Sequence, residues 1–293
     1  MSREYTMYLV DAFTSTPYYG NPAGVVLVDY QLAEEEMQKI AKEINVSETA
    51  FVESLDREEF RVRFFTPVEE VDLCGHATIA TFHTLAKKGY IHSIPMGEKS
   101  VFQHTKAGRL EVKLYYNFGR IQKVIMEQAE GEDFGPVQNI PLLLEAIGLE
   151  KEDLGLEGLP LIPRKCSTGL KDMFVPVKNQ EILSKITLNV EKSIELSKVE
   201  DAFSIHAFTE KEGFFYQRNF CPILGINEEA ATGTSTGALL FYLQKEGIFM
   251  DSTLQAKQGL EMGRPSDIFA KYENNKIYVG GEAAIVLEGI IHV

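Results

Sequence analysis

The chain has 293 residues, 44% of them hydrophobic and 25% charged, and a formal net charge of −14. That length exceeds one comfortable core, so two domains of roughly 100–200 residues each are expected. The excess of 43 Asp plus Glu over 29 Lys plus Arg repels a phosphate backbone, and no apolar stretch approaches the roughly 20 residues of a membrane span, so neither nucleic acid nor membrane is expected as a partner.

In chain order, the opening "MSREYTMYLV" has no signal-peptide pattern. Strand composition, rich in β-branched and aromatic residues, marks "TMYLVDAF" (6–13), "AGVVLVDY" (23–30), "TAFVES" (49–54) and "FRVRFFTP" (60–67). Between the first two, "YGNPAG" (19–24) reads as a Gly-Asn-Pro turn. "LAEEEMQKIAKEI" (32–44) places Met37, Ile40, Ala41 and Ile44 on one face, which predicts an amphipathic helix on the outside. Two further segments, about 76–88 and 233–246, are apolar all round a helical wheel, as only an enclosed helix is. Gly89 and Gly247 stand where left-handed caps would end them, with Lys87, Lys88 and Lys245 opposing the negative dipole end. Segment 184–202 reads as ordinary helix-and-strand surface. The three cysteines, Cys74, Cys166 and Cys221, fit a reducing cytoplasm better than a disulfide framework.

Three blocks recur in the same order. "RFFTP" (63–67) matches "RNFCP" (218–222), "SETAF" (47–51) matches "SIHAF" (204–208), and "CGHATIATFHTLAKKGYI" (74–91) matches "TGTSTGALLFYLQKEGIF" (232–249), at offsets of 155–158. The expected architecture is therefore α+β with two similar lobes from internal duplication, each a curved, barrel-like mixed sheet rolled around a central helix. The expected bounds are 1–118, to which the last strand at about 283–293 returns, and 119–282.

Each enclosed helix begins with glycine beside a small or polar residue, "CGHAT" and "TGTST". Such a start offers backbone N–H groups and a positive dipole end to an anion, though packing and capping alone also explain it. Glu48 in "NVSETAFV" lies at a strand start where the repeat has Ile205, so a raised pKa suited to acid/base work is expected, against the plainer reading of a solvated strand end. His76 is a candidate acid/base or a capped helix-start imidazole. His83 reads as a satisfied core histidine, and Cys74 as a small buried hydrophobe or a helix-terminus thiolate. The Cys-x-His spacing is too tight for a usual zinc site and no second pair is near, so no metal is expected. Glu228 and Glu229 in "EEAATGT" precede the second helix start, and Asn21 in the glycine turn joins the substrate-binding candidates.

Taken together, "DAFTSTPYYGNPAGVVLV", "NVSETAFV", "FFTPVEEVDLCGHATIAT", "EEAATGTSTGAL" and "QGLEMGRPS" (258–266) resemble the PhzF-like family of phenazine-biosynthesis isomerases. The resemblance implies a diaminopimelate epimerase-like fold with the active site in the cleft between lobes. It implies a metal-free and cofactor-free proton transfer by Glu48 on a small carboxylate, with Gly75, His76, Glu229, Thr232, Gly233 and Thr234 in the site. It also implies a homodimer. The family's aspartate is Glu229 here and its serine is Thr234, while Cys74 falls where racemases keep one thiol and Thr232 where they keep the other. Two-thiol epimerisation is therefore disfavoured. The expected function is a cofactor-independent isomerase, with Glu48, His76 and Glu229 catalytic; the alternatives are a one-thiol epimerase using Cys74 and a non-catalytic small-acid binding protein.

Overall fold

A computed structural model describes residues 3–28 and 32–293. The fold is a sheet-rich α+β arrangement, and the chain separates into two compact units, Met1–Glu127 with Gly280–Val293 and Gln128–Val279. The first unit contains β1 (Glu4–Ala12), β2 (Asn21–Leu27), α1 (Glu34–Ile44), β3 (Glu48–Asp56), β4 (Glu59–Phe65), β5 (Glu70–Val71), α2 (Gly75–Lys87), β6 (Met96–Thr105), β7 (Gly108–Asn117) and β8 (Arg120–Glu127). The second contains β9 (Glu132–Pro136), α3 (Ile140–Ile147), β10 (Arg164–Ser167), β11 (Lys171–Pro176), α4 (Gln180–Lys185), α5 (Val190–Glu200), β12 (Ser204–Lys211), β13 (Phe214–Cys221), β14 (Ile226–Glu229), α6 (Gly233–Lys245), β15 (Thr253–Gln258) and β16 (Ser266–Glu273). After β17 (Lys276–Gly281), the last strand, β18 (Ala283–His292), pairs antiparallel with β1. The end of the expected strand 23–30, at 29–30, lies outside the described residues.

In the first unit, β1 pairs antiparallel with β2, β2 parallel with β3, β3 antiparallel with β4, and β4 parallel with β6. Helix α2 touches β1, β2, β3, β7, β8 and β18, and eleven of its thirteen residues, His76–Ala86, are buried. Its uniform apolarity is thus explained by strands on many sides rather than one. Helix α1 covers the other face: Met37, Ile40 and Ala41 join Tyr5, Val26, Phe51 and Phe65 in a separate cluster. Asn45, left-handed at φ 55, ends α1 and turns the chain into β3.

In the second unit α3 and α5 form an outer layer on the sheet. Leu142, Leu143, Ala146, Ile147 and Leu196 of α3 and α5 pack on Met173, Val175, Ile205 and Ala207 of β11 and β12. Segment 184–202 contains the end of α4 and all of α5 and no strand; Ser184, Lys185 and Lys198 are exposed, while Ser193, Leu196 and Ser197 are buried. Gly89 and Gly247 take the expected left-handed conformation at φ 82 and 69, directly after the caps Lys88 and Glu246.

A half-buried ion pair in each unit fixes the strand that leads to its enclosed helix. Arg63 grips Glu70 through Nε at 2.7 Å and a terminal nitrogen at 2.6 Å, and Arg218 grips Glu228 through two nitrogens at 2.8 Å each. Both are fork-on-fork contacts, which hold direction as well as charge. Arg63 lies opposite Phe51 and Arg218 opposite Ala207. Counted from these arginines along the paired strands, the position of Glu48 falls on Ser204, one residue from the letter match of "SETAF" with "SIHAF".

Candidate active site

Alternation along β3 decides where Glu48 points. Phe51 belongs to the outer cluster under α1, so Glu48, Ala50 and Val52 face the α2 side. At the α2 start, Cys74 is extended at φ −137, and the first helical bond runs from Thr78 N to Cys74 O at 3.0 Å. Glu48 and His76 meet there: His76 Nε2 lies 3.1 Å from Glu48 Oε2 and 3.2 Å from Ser47 Oγ. Its other nitrogen, Nδ1, lies 3.4 Å from Cys74 Sγ. One imidazole therefore spans a carboxylate and a thiol. The Glu48 contact is a charge contact, since Oε2 makes no aligned hydrogen bond among the described residues.

These neighbours set the ionisation. Burial pushes the Glu48 carboxyl up, but His76, Ser47 and Cys74 outweigh it and hold it below the usual carboxylate range. The expected upward shift is therefore corrected: the charge partner that the sequence left unplaced is 3.1 Å away. For His76, burial disfavours the cation, while Cys74 and Glu48 together hold it well above the ordinary imidazole range. Burial and Glu48 push the Cys74 thiol up.

Asn21 is not in a turn. It is the first residue of β2, buried, following Gly20 at φ 67, where a Cβ would come within 2.2 Å of Ala12 O. Ala23, two residues on, is the register partner of Glu48, so Asn21, Glu48, Gly75 and His76 gather at one end of the sheet. Glu48, Cys74 and His76 also present donor atoms within 4.8 Å of one another, a set that could hold a metal ion and that the Cys-x-His spacing alone did not suggest. His83, further along α2, is buried, and neither ring nitrogen has a hydrogen-bond partner among the described residues, so it is not the satisfied core histidine expected.

At the second helix start, Thr232 is the extended N-cap of α6 at φ −129, and Thr236 N bonds to its carbonyl at 3.1 Å. Neither Cys74 nor Thr232 uses its side chain as a helix cap, which removes capping as the reason for those residue types. The Thr232 hydroxyl instead meets Glu229 Oε2 at 3.0 Å. Glu229 is half-buried and Glu228 is engaged by Arg218. Gly233 is buried, and Thr234 accepts a bond from Thr168 Oγ1 at 2.9 Å through its backbone carbonyl.

Sequence reading missed Gln258, Gln217, His206, Asn219 and Asp172, which form a buried polar layer beneath the α6 start. The available signal was polar residues at strand positions whose neighbours are core: His206 between Ile205 and Ala207, Gln217 and Asn219 two apart on β13. Asp172 is fully enclosed and accepts from Ser235 Oγ at 2.5 Å, and burial raises its carboxyl to about 6.

Residues 10–289 match the family model described as phenazine biosynthesis-like protein. An uncharacterized isomerase of Clostridium acetobutylicum is 35% identical, with 98% of both chains covered. A PhzF-family protein of Bacillus anthracis has a solved structure that is 30% identical, with a TM-score of 0.87 over 99% of this chain and 100% of the other. A hydroxyproline epimerase of Agrobacterium vitis, solved with trans-4-hydroxy-L-proline bound, shares the fold alone, at 10% identity and a TM-score of 0.67 over 99% and 93% of the two chains. The family match spanning the enclosed helices and their starts, with relatives matched end to end, means that this chain belongs to the PhzF, or phenazine biosynthesis-like, family.

Proposed function

We propose that this protein is a cofactor-independent isomerase that moves a proton between carbons of a small carboxylate substrate, with Glu48 as the group that carries the proton. The observation that carries this reading is the Glu48–His76 pair, a half-buried carboxylate and a buried imidazole 3.1 Å apart at the uncapped start of an enclosed helix. The Glu48 carboxylate takes a proton from a carbon next to the substrate's carboxylate. The electron pair left behind spreads onto the substrate as enediolate-like charge, and Glu48 then returns the proton at a different carbon. His76 balances charge while Glu48 cycles between its two forms. The backbone of Gly75 and the positive end of α2 favour the substrate's carboxylate, and Asn21 helps hold it.

Glu229, Thr232, Gly233 and Thr234 are assigned to the same reaction, with Glu229 as an assisting acid/base and the α6 start as a second place for negative charge. The names of the relatives as isomerases support the reaction class. We read the two units as products of one duplication and as the two domains of the chain. The matched Arg63–Glu70 and Arg218–Glu228 clamps and the two thirteen-residue enclosed helices support this. A homodimer is part of the same proposal. The second reading, a one-thiol enzyme using Cys74, rests on the 3.4 Å contact of Sγ with His76 Nδ1, and the raised thiol weighs against it.

Small carboxylic acids screened for thermal stabilisation, followed by proton NMR of the hits in deuterated buffer, test the function directly. An isomerase substrate both stabilises the protein and loses a carbon-bound proton signal to deuterium. Stabilisation with no exchange for any hit assigns the protein to small-acid binding instead.

A further inference from the structure

The polar layer beneath α6 has an orientation that two backbone groups settle. Gln258, buried at the end of β15, accepts from Thr232 N through Oε1 at 3.0 Å and donates through Nε2 to Glu229 O at 2.8 Å. A backbone N–H can only donate and a carbonyl can only accept, so the amide of Gln258 cannot be flipped. Its Oε1 also accepts from Gln217 Nε2 at 3.0 Å, which fixes Gln217 in turn. Gln217 Oε1 must then accept from His206 Nε2 at 3.1 Å, and His206 Nδ1 accepts from Asn219 Nδ2 at 2.9 Å. A neutral His206 fits this arrangement, since burial lowers it to about 4. From Asn219 to Gln258 every donor points the same way.

The chain leaves the layer through Thr232. Gln258 Nε2 donates to Thr232 Oγ1 at 3.1 Å, and that hydroxyl lies 3.0 Å from Glu229 Oε2. We propose that Gln258 is a positioning residue for Glu229: by donating to the Thr232 hydroxyl it commits that hydroxyl's single proton to Glu229 Oε2, holding Glu229 as an oriented carboxylate. Thr232 is free for this task because its side chain does not cap α6. Glu228, the adjacent carboxylate, is taken up by Arg218, so the two neighbouring acids have separate duties. The inference rests on the reading of Glu229 as a member of the site.

The test is carbon-13 NMR of side-chain carboxyls in protein labelled at glutamate, with the Glu229 signal assigned by its loss in Glu229→Gln. A hydrogen bond donated to the charged form favours that form, so Thr232→Val raises the pH midpoint of the Glu229 signal by roughly 1 unit. Thr232→Ser, which restores the hydroxyl, keeps the wild-type midpoint. Gln258→Met moves it in the same direction as Thr232→Val while leaving Thr232 itself intact, and serves where the valine variant does not fold. A folded Thr232→Val or Gln258→Met variant with an unmoved midpoint overturns the proposal, as does a serine variant shifted as far as the valine one. Loss of proton exchange on the substrate with an unmoved midpoint overturns it too, and leaves the acid/base role of Glu48 standing.

Discussion

His76 Nε2 stands 3.1 Å from Glu48 Oε2, so the carboxylate proposed as the base and the imidazole beside it are neighbours inside one unit, contributed by the start of a strand and the start of a helix. Against the effect of burial, Cys74 and Glu48 push the imidazole well above its ordinary range. Histidine ring NMR at pH 7.5, about one unit above the ordinary imidazole value, should show His76 protonated in the wild type. In Glu48→Gln the same ring should be largely neutral. A neutral His76 in the wild type contradicts the charge-paired site.

The pair also makes a stability prediction whose sign follows from its two shifts. Glu48 is depressed, so its contribution is present above the unfolded value of about 4.3 and is lost as pH falls. His76 is elevated, so its contribution is complete below about 6.5 and is lost as pH rises towards its folded value. The stability of wild type relative to a Glu48→Gln, His76→Gln double variant should therefore peak between about pH 4.3 and 6.5 and decline on both sides. Denaturant titrations at several pH values measure it, and a difference independent of pH contradicts it.

His83 acts in the opposite sense. Burial, helped by the charge of Lys87, lowers it to about 4, and its ring nitrogens are unpartnered among the described residues. The unfolded chain takes up this proton near pH 6.5, so stability is lost as pH falls from there, by up to about 3 kcal/mol at the folded value. His83→Leu should lose correspondingly less stability between pH 7 and pH 4. An unchanged acid slope contradicts the assignment.

The Arg218–Glu228 clamp should matter far more than an exposed pair. Arg218 is nearly enclosed and also donates to the carbonyls of Leu183 and Ile186 at 3.1 and 3.0 Å. Arg218→Met leaves a half-buried carboxylate and two carbonyls without this partner, and should cost about 3 kcal/mol of unfolding free energy. Arg61, which pairs with Glu53 at 2.5 Å on the surface, should cost less than about 1 kcal/mol as Arg61→Met. Urea denaturation compares them, and equal losses contradict the clamp.

Cys74 separates the two catalytic readings. A raised, buried thiol predicts that Cys74→Ser keeps proton exchange within about tenfold of wild type and that native protein reacts slowly with iodoacetamide. Rapid alkylation that abolishes exchange supports the one-thiol enzyme instead.

Local chemistry made much of the fold legible. The all-round apolarity of 76–88 and 233–246 announced enclosed helices because only surrounding strands can cover such a surface, and Gly89 and Gly247 marked their ends by conformational need. The limits were equally physical. The pairing of Glu48 with His76 joins residues 28 apart, and only the alternation of β3 against α2 brings them together, so the sequence alone suggested an elevated carboxyl where the partner lowers it. The letter match of "SETAF" with "SIHAF" and the strand registers counted from Arg63 and Arg218 differ by one residue, a difference that letters alone do not reveal. Gln258 was visible only as a letter in "QGLEMGRPS"; its role comes from two backbone groups of the segment that leads into α6.

The most direct measurement of the central claim is solvent-deuterium incorporation into a stabilising carboxylic acid by wild type and by Glu48→Gln, both verified as folded. Removal of the group that carries the proton should slow incorporation by about 100-fold or more. Incorporation at the wild-type rate in Glu48→Gln contradicts the account.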